Sequence, residues 1–509
     1  MKKLIASFLL ASILISTLLT GCANVEQSGD DTSGSASTTA ANNGNTPQST
    51  DALQETTEYV PTTEELLGFA QENNNRTFTV FATSIKDYDF NVESERGDIV
   101  DDAVFKKDSL TEEYLGIDIE VIFEIGNWAN RKTFNAKITN AYETGDNTYD
   151  LVNNAVVCTL PLAQKGVLVN VNELQYTNLD QPWYVANMVE DFGIKGKLYG
   201  IMGDHSLSLY KDLAVMFFNV NLWQEMRADV DLYELVRKGE WTLDKFIELT
   251  SGTAKDLNGD GLYDTETDRY AYFGEGVQTR SWLTALDIDI IDMNKDGTYN
   301  YYGLTDRLAD AYDKLIGYRT TVPGVSGMDS ASTKNVGKTT PRDAFAAGRV
   351  VMMTHRLESA EFIRDMDNDY GIVPMPKYDQ AQENYISQVA TSVSTFFIPQ
   401  NQDDLDLISK FIECESYFGY THVSPVYYES ALKARYINDP NIYEMLDNIR
   451  ENATASFLFV YSADFSNSPY TLLEFSKAPK SDLASWFTTI KRVFIESVEK
   501  MLKTYENLE

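Results

Sequence analysis

Short apolar runs alternate with longer amphipathic segments in the first third of the chain. Residues 78–83, 117–123 and 149–152 have the composition of strands, and residues 101–115 and 131–144, which lie between them, have the spacing of helices. Strands separated by helices indicate βαβ units. The pattern therefore predicts an α/β lobe with a largely parallel sheet, whose ligand site lies beyond the carboxyl ends of the strands.

A second set of elements follows. The all-apolar runs at 215–219 and 371–374 are predicted to be strands that cross between lobes, and the region between them is helical and rich in Asp. Within that region Thr242 has the position of a helix N-cap, with Trp241 packing on Phe246. Single hydrophobic cores stop growing at about 250–300 residues. A chain of 509 residues that is 43% apolar is therefore expected to form two lobes.

The N-terminus has the pattern of an export signal. Lys2 and Lys3 precede an apolar run from Leu4 to Leu19 that ends in Leu-Thr-Gly-Cys at Cys22. The run is shorter than the roughly 20 residues that span a bilayer. Residues 1–21 are predicted to be a signal peptide. The tetrad resembles the bacterial lipobox, which implies that Cys22 carries a diacylglycerol and a palmitate-type acyl chain; a plain secretory signal that contains a Cys is the alternative.

Residues 22–58 are mostly Ser, Thr, Asn, Gly, Gln and Asp, with hardly any large apolar residue. Such a segment cannot bury enough apolar surface to fold, so it is predicted to be a disordered tether behind the lipid anchor. Together with the signal, the tether predicts a protein held on the outer face of a cell membrane, as on a Gram-positive cell surface.

The charge of the chain excludes nucleic acid as a partner. Removing residues 1–21 takes away two Lys and no acid, so 40 basic residues remain against 77 acidic ones, a formal charge of −37. After Cys22 only Cys158 and Cys414 remain, too few for a disulfide framework. The sequence contains no H-E-x-x-H, C-x-x-C or G-x-S-x-G motif. No catalytic residue is predicted, and the protein is not expected to be an enzyme.

Several motifs together carry a family resemblance. They are YDLVNNA at 149–155, VMFFN at 215–219, WTLDKF at 241–246, DLNGDGLYD at 256–264, DAFAAGRVVMM at 343–353 and GIVPMPKYD at 371–379. In this order and spacing the chain resembles the bacterial extracellular solute-binding proteins of the maltose-binding type, which bind carbohydrates for ABC importers. The resemblance implies a periplasmic-binding-protein-like fold with two hinged α/β lobes, a ligand cleft between them, and delivery of the ligand to a permease.

The resemblance also implies lobe boundaries. Residues 59–210 plus 375–418 are assigned to the first lobe, and residues 211–374 plus 419–509 to the second. A monomer is expected.

Sugar sites pair aromatic faces with side chains that hydrogen bond to hydroxyls. Trp128 follows the strand that ends near Phe123, and Trp282 follows the strand-like run 270–273, so both are candidate platforms; a core residue at a helix start is the alternative for Trp128. The resemblance adds five further candidates, of which Trp486 could equally be a core residue. They are Asn154, Asp204, His205, Arg356 and Trp486.

The segment 256–268 has the pattern of a calcium loop. A loop that surrounds Ca²⁺ has oxygen ligands at positions 1, 3, 5 and 9, a Gly at position 6 and a backbone carbonyl ligand at position 7. The predicted ligands are Asp256, Asn258, Asp260, the carbonyl of Leu262 and Asp264. Position 12 is Thr267 and not the usual Glu, so Asp268, or Glu266 as the alternative, is predicted to complete the ligand set. The ion would be structural, and an Asx-rich turn is the alternative. A similar start at Asp292 is predicted to be a hairpin turn instead.

Three alternatives to carbohydrate capture stay open. A non-sugar solute such as a peptide would suit the same fold. A secreted glycoside hydrolase needs two carboxylates at a set separation, and no pair is singled out among the 77 acids. A scaffold lipoprotein would have internal repeats of about 20–50 residues, and none is found.

Overall fold

The computed structural model describes residues 61–508 except for the following positions. These are 186–187, 189–191, 262, 265, 277, 295, 328–338, 434–439, 467 and 476. The predicted signal peptide, Cys22 and the predicted tether lie outside the described residues. So does Leu262 of the predicted calcium loop.

Two sheets contain most of the strands. The strands are β1 (Arg76–Thr83), β2 (Ile117–Glu124), β3 (Leu151–Ala155), β4 (Ala214–Asn219), β5 (Tyr270–Gly274), β6 (Ile291–Met293), β7 (Tyr299–Tyr301), β8 (Val325–Gly327), β9 (Val350–Arg356), β10 (Tyr370–Val373), β11 (Ser387–Gln388), β12 (Ser394–Phe397) and β13 (Ala453–Thr454). The first sheet has the order β12-β3-β1-β2 and the second the order β10-β4-β9-β5-β8. The strands predicted in the first third of the chain and at 215–219 and 371–374 are confirmed to within two or three residues.

The first sheet is parallel except at one edge. β1 pairs with β2 and β3 in parallel, and β12 returns antiparallel to β3. In the second sheet β5, β8 and β9 are parallel, and β4 runs between β9 and β10 in the opposite direction. Both faces of β1 and β4 are covered by helices, and their central residues are buried, as expected for strands in α/β sheets. The mixed α/β class is confirmed.

The helices surround these sheets. They are α1 (Thr63–Leu67), α2 (Ile99–Leu115), α3 (Arg131–Thr144), α4 (Val156–Thr159), α5 (Ser208–Lys211), α6 (Val220–Arg227), α7 (Leu232–Arg237), α8 (Leu243–Thr250), α9 (Trp282–Ala285), α10 (Asp306–Thr321), α11 (Pro341–Ala346), α12 (Ser359–Ile363), α13 (Leu405–Phe418), α14 (Ser424–Lys433), α15 (Pro440–Glu451), α16 (Phe457–Val460) and α17 (Leu483–Glu506). Their boundaries follow local sequence signals. Asp98 caps α2 through the amides of Val100 and Asp101, and Gly116 ends it in the left-handed conformation.

The start of α8 is the one that the sequence predicts. Thr242 accepts a hydrogen bond from the amide of Lys245, and the Trp241 ring is fully buried against Phe246. The indole Nε1 of Trp241 also donates to the carbonyl of Pro374 at 2.9 Å. Both predictions for this segment are confirmed.

A π-helical turn at Gly419–Val423 connects α13 to α14. This turn packs against α2 and α13, which flank the first sheet, and α14 packs against α2 and α12, whereas α15 packs against β10 of the second sheet. Among the described residues, no helix is long and apolar enough to cross a bilayer.

The predicted hairpin after Asp292 is present. β6 and β7 pair antiparallel, with Ile291 opposite Tyr301, and the Asp296 carboxylate accepts from the amide of Thr298 at 2.9 Å. The hairpin interpretation of this segment is therefore confirmed.

Candidate functional site

The carboxyl ends of the parallel strands bring the candidate polar residues together. At the first sheet, β1 continues into the turn Ser84–Asp89, and β2 into a loop that contains Gly126 and Trp128. At the second sheet, β9 ends at Arg356. The segment before β4 and the segment before β12 pass between these two edges, and the amide of Ser394 donates to the hydroxyl of Ser208 at 2.8 Å.

Asp212 connects the two edges. Its fully buried carboxylate accepts from the Lys86 Nζ at 2.8 Å, from the Arg356 Nη1 at 2.9 Å and from the Ser392 hydroxyl at 2.8 Å. Burial opposes ionisation, but the charges of Lys86 and Arg356 outweigh it and hold the pKa of Asp212 below its usual value. Asp212 is therefore a carboxylate anion that ties a residue after β1 to a residue at the end of β9.

Tyr88 lies beside this group. The Nζ atoms of Lys86 and Lys211 are 5.5 and 4.8 Å from the centroid of its ring. Burial, followed by the charges of Asp89 and Asp212, raises the pKa of its hydroxyl. The phenol is thus protonated at physiological pH and can both donate and accept a hydrogen bond.

Further ion pairs surround Asp212. Arg356 also pairs with Glu358 at 3.2 Å, and Lys211 pairs with Glu361 at 2.8 Å. His355 is close to a carboxylate but stays neutral, because burial and then the charge of Arg356 lower its pKa to about 3. The cations at this position are therefore matched by carboxylates.

An apolar surface lies at the same edge of the first sheet. Ile85, Ile125 and Trp128 are 50%, 47% and 50% exposed. Ile85 and Ile125 lie within two residues of the ends of the paired strands β1 and β2, and Trp128 lies in the loop after β2. The guanidinium of Arg131 lies 3.6 Å from the centroid of the Trp128 ring. A half-exposed indole is a surface on which the apolar face of a sugar ring can stack.

Gly126 sets the position of the Trp128 loop. A side-chain carbon on Gly126 would lie 2.6 Å from the Asn154 Oδ1 and 2.8 Å from the Thr83 hydroxyl. Gly126 itself donates its amide to that hydroxyl at 3.2 Å. Only a glycine allows the loop to come this close to the end of the sheet.

The structure places three of the predicted ligand residues inside the protein. Asn154 is fully buried and donates to the Thr159 hydroxyl at 3.0 Å. Asp204 is buried and accepts from the Tyr210 hydroxyl at 2.6 Å and from Arg450 at 2.9 Å. The second oxygen of each side chain, the Asn154 Oδ1 and the Asp204 Oδ2, is buried with no hydrogen-bond partner among the described residues.

His205 is the third of these. Its ring stacks on Phe396 at 3.7 Å between centroids, and burial lowers the pKa of the imidazole well below its usual value, so the ring is neutral. Neither of its nitrogens has a hydrogen-bond partner among the described residues.

The remaining predicted aromatic residues lie elsewhere. Trp282 begins α9 with no exposed surface and packs on Phe246 at 5.3 Å between centroids, so its ring offers no free face for stacking here. Trp486 is half-buried on α17, with the Lys480 Nζ 5.0 Å from its centroid. Of the predicted ligand residues, Trp128 and Arg356 are the ones at the carboxyl edges of the sheets and partly accessible to solvent. Ligand contact stays a prediction for every member of the set.

The carboxylates of the predicted calcium loop accept hydrogen bonds from backbone amides. Asp256 accepts from Gly259 at 2.6 Å and from Gly261 at 2.8 Å. Asp264 accepts from Glu266 and Thr267, both at 2.8 Å, and Asp268 accepts from Leu257 and Asp264.

The remaining side chains bond within the loop as well, since the Asn258 amide donates to Asp260 at 3.1 Å. Among the described residues, no three acidic, His or Cys side chains converge as metal ligands would. These hydrogen bonds are those of an Asx-rich turn, the alternative that the sequence left open. Calcium binding stays a prediction.

Sequence reasoning missed Lys86, Tyr88 and Asp212. Lys86 and Tyr88 follow a predicted strand directly, which was the one available signal. Asp212 precedes the strand at 214–219 and looks like an ordinary polar loop residue in the sequence. Its importance depends on contacts between segments more than 100 residues apart.

The chain is similar to proteins that bind solutes. A sequence profile for the bacterial extracellular solute-binding proteins matches residues 103–441. No curated protein sequence matches the chain. Among solved structures, an ABC substrate-binding protein from Listeria monocytogenes in complex with cycloalternan is 14% identical, covers 82% of this chain and 99% of its own, and has a TM-score of 0.50.

Two other structures are similar over comparable lengths. UgpB from Mycobacterium tuberculosis in complex with glycerophosphocholine is 14% identical, with 79% of this chain and 95% of that chain covered and a TM-score of 0.49. The maltose/maltodextrin-binding domain MalE from Bdellovibrio bacteriovorus, bound to maltotriose, is 14% identical, with 84% and 98% covered and a TM-score of 0.45. The likeness to the Listeria protein concerns the fold, and it agrees with the predicted pair of α/β lobes.

Proposed function

Because the chain belongs to the bacterial extracellular solute-binding proteins, we propose that it captures a carbohydrate, most simply an oligosaccharide, between its two lobes for an ABC importer. Family membership gives an extracytoplasmic location and solute binding as the activity. The solved relatives named above include proteins in complex with cycloalternan and maltotriose, which supports the choice of a carbohydrate.

One observation carries the proposal. The exposed Trp128, Ile85 and Ile125 follow β1 and β2 at the carboxyl edge of the first sheet, where Lys86 pairs with Asp212. A carbohydrate presents apolar C–H faces and hydroxyl edges together, so it needs an aromatic surface and hydrogen-bonding groups side by side.

We assign residues 59–210 plus 375–418 to the first lobe and residues 211–374 plus 419–509 to the second. The strands of the first sheet fall in the first of these sets and those of the second sheet in the other. The lobes would close on the ligand like a hinge, with the ligand selecting the closed form by contacting both.

The remaining proposals concern attachment and assembly. Residues 1–21 would be removed on export, Cys22 would carry the lipid, and residues 22–58 would let the folded body reach a permease in the same membrane. Mass spectrometry of the membrane-extracted protein would show a diacylglyceryl mass at Cys22, and Cys22→Ser would release the protein into the medium. Light scattering of the purified protein is expected to give the mass of a monomer.

Thermal unfolding with a ligand panel tests the central proposal. The panel contains mono- and oligosaccharides, peptides and polyamines. A ligand present at about a hundred times its dissociation constant adds about 2.7 kcal/mol to the unfolding free energy, so its thermal midpoint rises. A rise with one class of carbohydrate supports the proposal, and a rise with peptides alone contradicts it.

Incubation with the same oligosaccharides distinguishes binding from hydrolysis. A binding protein leaves each sugar intact at stoichiometric concentration, whereas a glycoside hydrolase would shorten it over many turnovers. Chromatography of the sugar after incubation measures this directly, and cleavage would replace the binding function with the hydrolase alternative.

A further inference from the structure

The charges around Asp212 are matched inside the protein. The cations of this group are Lys86, Lys211 and Arg356, and the carboxylates are Asp212, Glu358 and Glu361. Each cation pairs with at least one of these carboxylates at 2.8 to 3.2 Å. The formal charge of the six side chains is zero, three positive against three negative, so the group offers no uncompensated charge to a ligand.

Among the polar atoms of this group and of Tyr88 beside it, two have neither a hydrogen bond nor an ion-pair contact among the described residues. They are the hydroxyl of Tyr88 and the Nε of Arg356, and both are shielded from solvent. Tyr88 follows β1 of the first sheet and Arg356 ends β9 of the second, so the two atoms belong to opposite lobes. Buried polar atoms in native proteins nearly always have a partner, whether from the protein, water or a ligand.

We propose that Tyr88 and Arg356 bind a hydroxyl of an uncharged ligand from opposite lobes, and that the ion pairs around Asp212 select against charged ligands. This inference rests on the proposed function and narrows it to neutral sugars, as opposed to uronic acids, amino sugars or sugar phosphates. The Nε–H of Arg356 would donate to the hydroxyl oxygen, and the Tyr88 hydroxyl would accept its proton or donate to a neighbouring oxygen.

The physical reason is the cost of burying an unmatched charge. A carboxylate or phosphate on the ligand would have to take Arg356 or Lys86 from Asp212, which would leave that fully buried carboxylate short of a partner. An ammonium on the ligand would compete with Lys86 and Arg356 in the same way. A hydroxyl disturbs neither set of pairs and gives the two unpartnered atoms a hydrogen bond.

Calorimetric titration of the purified protein with matched sugars tests the selection. The probes are a neutral oligosaccharide, the same sugar with one uronic acid unit, and the same sugar with one amino sugar unit. The neutral sugar is expected to bind at least about tenfold more tightly than either charged one. Equal or tighter binding of a charged sugar overturns the inference and leaves carbohydrate capture standing. Failure of all three to bind, together with failure of the wider panel, overturns both.

Conservative variants test the two residues. Tyr88→Phe removes the hydroxyl, and Arg356→Lys keeps the positive charge for Asp212 but removes the Nε donor. Each is expected to weaken binding of the neutral sugar about tenfold. The matched controls are Tyr302→Phe and Arg364→Lys, whose side chains are exposed away from this group, and both should bind as the unmodified protein does.

A charge variant completes the test. Glu358→Gln removes one of the two carboxylates that pair with Arg356. The difference in affinity between the neutral sugar and the uronic acid sugar should therefore become smaller. Circular dichroism confirms that each variant is folded before titration. Unchanged affinity in both Tyr88→Phe and Arg356→Lys, with unchanged selectivity in Glu358→Gln, would overturn the inference.

Discussion

Lys107 is the centre of a buried group of ions beneath the first sheet. Its Nζ lies 2.6 Å from the Glu415 carboxylate and 3.0 Å from that of Asp108, and it donates to the backbone carbonyl of Asp89 at 2.9 Å. All three charged side chains are at most 1% exposed. Burial raises the pKa of Asp108 to about 7, although the charge of Lys107 acts against this rise.

Replacing Lys107 with Met is predicted to destabilise the protein strongly at pH 8. The variant leaves two buried carboxylates without their cation, and removing one partner of a buried pair costs about 3–5 kcal/mol. Asp108 can reduce this cost by keeping its proton, because without the charge of Lys107 its pKa in the folded variant would lie further above the unfolded value. The stability of the variant therefore falls as pH rises through this range. We therefore expect a loss of about 4 kcal/mol at pH 8 and a smaller loss at pH 5.

Urea unfolding at pH 5 and pH 8, followed by circular dichroism and tryptophan fluorescence, measures both losses. Lys106→Met is the matched control, because the neighbouring Lys106 is exposed and its replacement should change stability by less than about 0.5 kcal/mol. The double variant Lys107→Met with Asp108→Asn should recover part of the stability at pH 8. The reasoning would be refuted if Lys107→Met lost as little unfolding free energy as the control, or lost the same amount at both pH values.

Three further predictions follow from single features. Gly126→Ala should weaken carbohydrate binding at least about fivefold, because the new carbon meets Asn154 and displaces the Trp128 loop. The control Gly317→Ala, in open space on α10, should bind normally, and equal affinities of the two variants in titrations would contradict the prediction. Burial raises the pKa of Glu413 and that of Asp108 to about 7, so between pH 5 and pH 8 the folded state holds protons that the unfolded chain has lost. The urea midpoint of the unmodified protein should therefore fall from pH 5 to pH 8, and a rise would contradict this prediction. Ca²⁺ should raise the thermal midpoint of the protein but not of Asp256→Asn, and EDTA should reverse the rise; no shift with Ca²⁺ would remove the calcium prediction.

The strands and long helices could be predicted because their signals are local. The run at 117–123 and the helical pattern at 131–144 depend on the spacing of apolar residues within one segment, and both appear in the structure almost at the predicted boundaries. Thr242 is similar, since an N-cap needs only the amides of the next turn. The prediction of two α/β lobes depended on the length of the chain and on the alternation of strand-like and helical segments.

The candidate site was harder to predict because its contacts join distant segments. Trp128 and Trp282 both follow strand-like runs in the sequence, yet one is half exposed and the other fully buried. The difference arises from α8, whose Phe246 covers Trp282 from a position 36 residues away. No local sequence pattern marks Asp212, because its partners Lys86 and Arg356 lie 126 and 144 residues away along the chain.

The most direct test of the account is calorimetric titration of the purified protein and of Trp128→Ala with the same neutral oligosaccharides. Trp128 is half exposed, so its removal should leave the fold intact while it removes the stacking surface. The account predicts that one class of neutral sugar binds the unmodified protein at one site per chain, and that Trp128→Ala binds it at least about tenfold more weakly. Binding of no carbohydrate, or equal binding by both proteins, would contradict it.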